Sequence, residues 1–226
     1  MFKKTFSMIC CVIFLQGCSQ EQEVKKEMTN METALLAATE KNETNTVISL
    51  LKQGANINAT DNQGRTPLMI ATYKNDVKTA KALIESGADV NIQDDMKNNP
   101  FLYAGAEGYL DILKLTIDAG ADPTITNRYG GTALIPASEH GYIEVIKELL
   151  TRTNIDVNHV NNLGWTALME AIVLNNGNET QQQVIRLLIE HGADVNIPDH
   201  DGVTPLEHAR TYHFEEIEKI LLEGRK

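Results

Sequence analysis

All three cysteines of the chain, Cys10, Cys11 and Cys18, lie in its first 18 residues, and none occurs in the 208 that follow. A thiolate can pair in a disulfide, ligate a metal or act as a nucleophile. A disulfide or metal framework needs sulfur spread through a fold, so this spacing points instead to a processed leader. Lys3 and Lys4 precede eleven mostly apolar, uncharged residues from Thr5 to Leu15. Crossing a hydrocarbon layer takes about 20 such residues, so this stretch suits the core of an export signal and not a permanent span.

Other candidate chemistry is thin. Ser138, Glu139 and His140 are the residue types of a hydrolytic triad, but they are sequence neighbours, and a triad needs side chains that converge in space. The segment reads better as a turn between helices. The six histidines (140, 159, 191, 200, 208 and 213) form no His-x-x-x-His pair and have no cysteine companion, so no metal site is expected. The glycines of "NQGRT" and "RYGGT" lack the Gly-Lys-Ser ending of a phosphate cradle and read as turn glycines. No catalytic, cofactor or metal residues are assigned, and the chain is not expected to be an enzyme.

The end of the leader, Leu15-Gln16-Gly17-Cys18, resembles the lipobox of bacterial lipoproteins, with Gln16 where that family has a small residue. The resemblance implies that residues 1–17 are a signal peptide removed before Cys18, whose thiol carries a diacylglyceryl group. Cys10 and Cys11 would leave with the leader, so no thiol would remain for other work, and packing alone would hold the exported fold. Residues 18–30 are then the lipidated cysteine and a flexible tether. The polar residues from Ser19 to Asn30 reach at most about 40 Å. The expected location is a bacterial cell membrane or outer membrane, facing the periplasm or cell exterior, because acyl chains on one residue make a stable anchor at about 0.8 kcal/mol per buried methylene.

The whole chain carries 20 Lys plus Arg against 31 Asp plus Glu, and removal of the leader leaves 18 against 31, a charge of −13. Such a surface repels phosphate backbones. No nucleic-acid partner is expected, and a protein with a basic patch is a better match.

The elements that position everything else follow from a repeat. The phrases "ETALLAA", "RTPLMIA", "NPFLYA", "GTALIPA", "WTALMEA" and "VTPLEHA" place Thr, or Asn99 in its stead, at 33, 66, 99, 132, 166 and 204, in steps of 33, 33, 33, 34 and 38. "GANIN" or "GADVN"-like phrases keep the same beat from Gly54, Gly87, Gly120 and Gly192. Thr66 or Thr204 followed by proline suits a helix start, with the hydroxyl capping free amides. In "GYLDILKLTIDAG", Leu110, Leu113 and Ile117 share one helical face, opposite Asp111, Lys114 and Asp118. The closing glycine suits a left-handed C-cap, and Asp61, Asp94, Asn127, Asn161 and Asp199 open the next turn.

This pattern resembles the ankyrin repeat over residues 31–226. The resemblance implies an all-α solenoid of stacked helix-turn-helix units with projecting β-turn fingers, about six units starting near 31, 62, 95, 128, 162 and 200. The family's histidine after Thr-Pro-Leu is replaced by Leu36, Met69, Leu102, Ile135, Met169 and Glu207, so apolar packing must substitute for its hydrogen bonds. The third unit, reading "MKNNPF", lacks both Thr and the finger glycine and is expected to have a distorted turn. In "TRTNIDVN", Asn154 is expected to be left-handed. "NNGNETQQQ" is expected to lengthen the loop between the helices of the fifth unit, and Glu207 suits an end cap that meets water.

In this family partners are held along the concave side, by finger tips and the exposed face of each first helix. By register the finger positions are Asn62, Gln63, Arg65, Asp95, Met96, Asn98, Arg128, Tyr129, Gly131, Asn162, Leu163 and Trp165. The first-helix positions are Tyr73, Lys74, Glu107 and His140. Tyr, Trp and Arg most often dominate interface energy. Arg65, Tyr73, Lys74, Arg128, Tyr129, His140, Leu163 and Trp165 are therefore the candidate partner-binding residues, on a chain expected to be monomeric. The implied function is a membrane-tethered protein-interaction module of the bacterial envelope. The alternative is an immunity or inhibitor protein that neutralises a toxic effector enzyme, which a toxin gene next door would favour.

Overall fold

The computed structural model describes residues 29–224, which form an array of helices joined by turns and no strands. Cys18 and the leader lie outside the described residues. The helices are α1 (29–40), α2 (Thr44–Lys52), α3 (Pro67–Tyr73), α4 (Val77–Glu85), α5 (Pro100–Glu107), α6 (Leu110–Asp118), α7 (Leu134–His140), α8 (Ile143–Arg152), α9 (Ala167–Val173), α10 (Glu179–Glu190), α11 (Pro205–Thr211) and α12 (Glu215–Glu223). From α3 onward, odd-numbered helices pack on one another in a row and even-numbered helices in a second row. No unit reaches past its neighbours to build the core, which is the quasi-one-dimensional cohesion of a solenoid.

Each short helix starts where the sequence supplies a cap. Thr66 and Thr166 accept from the amides of Met69 and Met169, each at 3.1 Å. Thr204 forms a full capping box with Glu207, which is exposed at the end of the array as expected. Thr132 departs from this: its buried hydroxyl has no partner among the described residues, and α7 begins one residue later. In the first unit Thr33 caps nothing, because it sits inside α1 and bonds the carbonyl of Thr29. The array thus begins before Met31, taking in residues 29 and 30 of the expected tether.

Four of the six residues at the missing-histidine position are buried, while Leu36 is half-buried and Glu207 exposed. Met69, Leu102, Ile135 and Met169 are all buried beside Leu68, Phe101, Leu134 and Leu168. In α6 the buried face centres on Ile112, Leu113 and Thr116. Leu110 and Ile117 are only half-buried, so the expected stripe is rotated by about one residue from the true one.

Two local expectations are corrected and a third is extended. The third unit's turn is not distorted: Lys97 takes the left-handed conformation (φ 62) that glycine takes in the other fingers. Asn99 replaces Thr as the cap, accepting from Leu102 N–H at 2.8 Å, though its Nδ2 is left buried without a partner. Asn154 is not among the left-handed residues. There Thr153 ends α8 in extended backbone, its hydroxyl bonding Leu149 O and accepting from Ile155 N–H. The extra residues of the fifth unit lengthen the loop between α9 and α10, as expected, but they also extend α10 to 12 residues, where α4 and α6 have 9.

Lys97 bears a left-handed penalty of about 1–2 kcal/mol, larger than the 0.5–1 kcal/mol of extra chain entropy that glycine loses on folding. Lys97→Gly is therefore expected to raise stability by about 0.5–1 kcal/mol. Urea unfolding should show a higher midpoint at unchanged slope; a lower midpoint would mean that this turn is not strained.

Candidate functional site

The fingers are built by one device. In each, the Oδ1 atom of the opening Asp or Asn accepts the amides two and four residues on. Asp61 bonds Gln63 and Arg65 at 2.8 and 2.9 Å, and Asp94 bonds Met96 and Asn98, both at 2.9 Å. Asn127 bonds Tyr129 and Gly131 at 2.9 and 3.0 Å, Asn161 bonds Leu163 and Trp165 at 2.9 and 3.0 Å, and Asp199 bonds Asp201 and Val203 at 3.0 and 2.9 Å. Adjacent tips are tied by backbone bonds from Asp95 N–H to Gln63 O (3.0 Å) and from Asn162 N–H to Tyr129 O (2.9 Å). The tips thereby stand at fixed spacing, as a binding surface requires.

In four of the five openers, Asp61, Asp94, Asn161 and Asp199, the second side-chain atom meets a different partner, and this sorts the candidate residues. Arg65 is engaged internally, its guanidinium 2.7 Å from Asp61 Oδ2 and 3.0 Å from Glu40 Oε1. Tyr73 donates to Asp94 Oδ2 at 2.5 Å, accepts from Asn98 Nδ2 at 3.0 Å and packs edge-on against Tyr103. Burial and the neighbouring Asp94 push its phenol up to about 12. Both residues line a hollow of about 420 Å³ beside Met96, yet their polar atoms are already used by the fold. Lys74 is exposed, 3.8 Å from Glu40. His140 is exposed against the ring of Tyr142, while Ser138 is fully buried with an unpartnered hydroxyl. Ser138 and His140 therefore do not converge, and Gly141 beyond them takes the left-handed turn between α7 and α8.

Tyr129, Leu163 and Trp165 are brought together. Tyr129 is 53% and Leu163 54% exposed, and with Trp165 they line a groove of about 340 Å³ between the third and fourth fingers. Arg128 lies over the Tyr129 ring, 4.8 Å from its centre, and reaches back to Met96 Sδ of the preceding finger. Pro136, Glu139, Glu170 and Leu174, none of them expected at a binding surface, also line the groove.

Glu170 is the unusual member. Only 7% of it is exposed. Asn161 Nδ2 donates to its Oε1 at 2.8 Å, and two backbone donors on Asn161 Oδ1 fix that amide's orientation. Burial and then the nearby charge of Glu139 push Glu170 up to about 7, with the Asn161 bond opposing them. The sequence did carry a signal. The fourth position after each capping residue is Ile70, Tyr103, Pro136, Glu170 and His208, so a carboxylate stands in an otherwise apolar phrase. His208 plays the matching part at the end of the array, with Nε2 2.7 Å from Asp199 Oδ2.

A family model described as "Ankyrin repeats (3 copies)" matches residues 5–94 and 101–199. The chain belongs to the ankyrin-repeat family. It is 54% identical over 76 residues to the putative ankyrin repeat protein YahD of Escherichia coli K12. It is also 46% identical over 57 residues to the putative ankyrin repeat protein L86 of Acanthamoeba polyphaga mimivirus. These matches span 34% and 25% of the chain and only 38% and 10% of those relatives, well under half their length. Among solved structures, an ankyrin repeat domain from Acinetobacter baumannii AYE superposes with a TM-score of 0.83 at 50% identity, over 84% of this chain and 97% of that one. The ankyrin repeat protein EF0377 superposes at 0.82 and 42% identity, over 85% and 98%. The ankyrin fold carries the general expectation of an interaction module.

Glu170 titrates higher in the folded than in the unfolded chain. The native state therefore holds an extra proton between the two values, and stability falls as pH rises from about 4.5 through about 7. Glu170→Gln keeps an acceptor for Asn161 and removes the charge. It is expected to be more stable than the parent at pH 8, by on the order of 2 kcal/mol, and equal to it near pH 4.5. Urea melts at the two pH values check this; equal stability at pH 8 would show that the carboxylate is well solvated.

Proposed function

We propose that this ankyrin protein is a lipid-anchored interaction module of the bacterial envelope that grips a partner protein in the groove of its third and fourth fingers. The observation that carries this reading is the gathering of Tyr129, Leu163 and Trp165, on tips held rigidly by their Asn clamps, with Leu174 at the end of α9 into one apolar wall. Leu174 is itself 47% exposed. Aromatic anchors on a pre-organised frame lose little conformational entropy on binding, and such residues dominate interface energetics. The net charge, −11 for the whole chain and −13 once the leader is removed, favours a partner with a basic patch and faster encounter with it.

Support for the anchor comes from Leu15-Gln16-Gly17-Cys18 and the short apolar segment before it. A short tether on an acylated Cys18 would hold the solenoid near the bilayer and raise its effective concentration against membrane partners.

Two substitutions separate anchor from grip. Cys18→Ser is expected to abolish incorporation of labelled palmitate and to move the protein from the membrane to the soluble fraction, and unchanged fractionation would remove the anchor from the proposal. Trp165→Ala is expected to reduce recovery of a crosslinked envelope partner by about 30-fold, the weight of a 2 kcal/mol hot spot, with the helical circular dichroism unchanged. Full recovery with this variant would mean that the partner binds elsewhere.

A further inference from the structure

We infer that the groove between the third and fourth fingers is built to take an arginine side chain of the partner, presented on an extended segment with an apolar residue beside it. This inference rests on the functional reading above and gives that site its ligand chemistry.

Two carboxylates border one apolar groove. Glu139 lies in the last turn of α7, and its side chain has no hydrogen bond or ion pair among the described residues. Glu170 lies beneath the fourth finger, more than nine-tenths buried, with Oε1 held by Asn161 and no protein donor on Oε2 among the described residues. That second oxygen is not sealed in the core as the Ser138 hydroxyl is; Glu170 lines the groove, and Oε2 stays open to a donor brought from outside. Of the ionisable groups on the helices packed against α9, Glu139 is the one whose charge reaches Glu170. The others are His140 on α7, Glu179, Arg186 and Glu190 on α10, and Glu207, His208 and Arg210 on α11. Arg186 pairs with Glu216, Arg210 with Glu218 and His208 with Asp199. The described residues thus bring no cation to the Glu139–Glu170 pair.

A visiting cation would relieve both defects, neutralising the like-charge pair and supplying donors to Glu170 Oε2. Arginine fits better than lysine because its planar guanidinium offers donors to two carboxylates at once and stacks on an aromatic face. Trp165 lines the groove and can supply that face. Tyr129 already carries Arg128 over its ring, and that cation reaches away toward Met96. Leu163 and Leu174, both exposed on the rim, are placed for an apolar neighbour of the arginine.

The test uses the folded protein and two blocked peptides, Ac-Ala-Leu-Arg-Leu-Ala-NH2 and its counterpart with neutral citrulline for arginine. Trp165 is the chain's single tryptophan, so its fluorescence and indole N–H resonance report on the groove directly. The arginine peptide is expected to shift both signals saturably and to bind at least tenfold tighter than the citrulline peptide. Glu139→Gln and Glu170→Gln should each weaken it about tenfold while both variants keep the parent's helical spectrum. In the parent, binding should strengthen about tenfold from pH 6 to pH 8 as Glu170 ionises, and Glu170→Gln should abolish that step. Equal binding of the two peptides, or parental affinity in both Gln variants, overturns the inference. If Trp165→Ala loses the crosslinked partner while both Gln variants keep it, the groove is an interface and the arginine assignment is wrong. If the arginine peptide binds as described but Trp165→Ala keeps the partner, the pocket stands and the partner-binding reading falls.

Discussion

One oxygen per unit holds this surface together. The Oδ1 of an Asp or Asn accepting two backbone amides converts five residues of exposed chain into a finger of fixed shape. Beyond this oxygen the finger needs only a left-handed residue three positions on, which is why its other tip residues can differ from unit to unit while the backbone does not. The third unit shows the strength of the constraint: with neither glycine nor threonine available, Lys97 is forced left-handed and Asn99 takes over the cap, and the turn keeps its shape.

The solenoid beneath is equally local. Each row of helices is closed by its neighbours, and turns between paired helices rest on left-handed residues that are glycine at 108 and 141 but Asn at 42 and 75. Gly105 permits the close approach of α5 to the start of α7 within the row of first helices, because a β-carbon there would lie 2.8 Å from that of Ala133. Further ties run along the far edge, where Asn58, Asn91 and Asn158 each accept the amide of the aspartate one unit on. The rung is missing after Thr124, whose hydroxyl turns back to Asp122 instead. A rigid array of this kind presents side chains from adjacent units at constant separation, so a groove between two fingers can be as well defined as a cleft in a globular domain.

Period and punctuation were legible because they are fixed by backbone conformation: Gly54, Gly87, Gly120 and Gly192 are all left-handed where the repeat places them, and the caps at Thr66, Thr166 and Thr204 follow from residue type alone. What one unit's sequence cannot reveal is who its neighbour's side chains choose. Arg65 and Tyr73 have the composition of hot-spot residues, but Glu40 and Asp94, 25 and 21 positions away, have claimed their polar atoms. Tyr129, Leu163 and Trp165 were legible as finger residues; Glu139 and Glu170 were not, since the helix face that opens onto the groove depends on how two units stack. The break at Thr153 was missed for a different reason. An extended residue whose hydroxyl binds on both sides can end a helix as well as a left-handed one.

Glu170 ties the energetics to the role proposed for the groove. A glutamine would satisfy Asn161 as well, and an apolar residue would suit the phrase it interrupts, so neither packing nor the finger clamp requires a carboxylate there. Its burial beside Glu139 opposes folding whenever it is ionised. Local choices that disagree with the fold in this way are expected where a protein meets its ligand, because the free energy withheld from folding is released when the missing charge arrives. On that argument the same desolvation that makes Glu170 a liability in the free protein makes it selective in the complex: it discriminates against a neutral side chain of the same shape, which would leave both carboxylates unanswered.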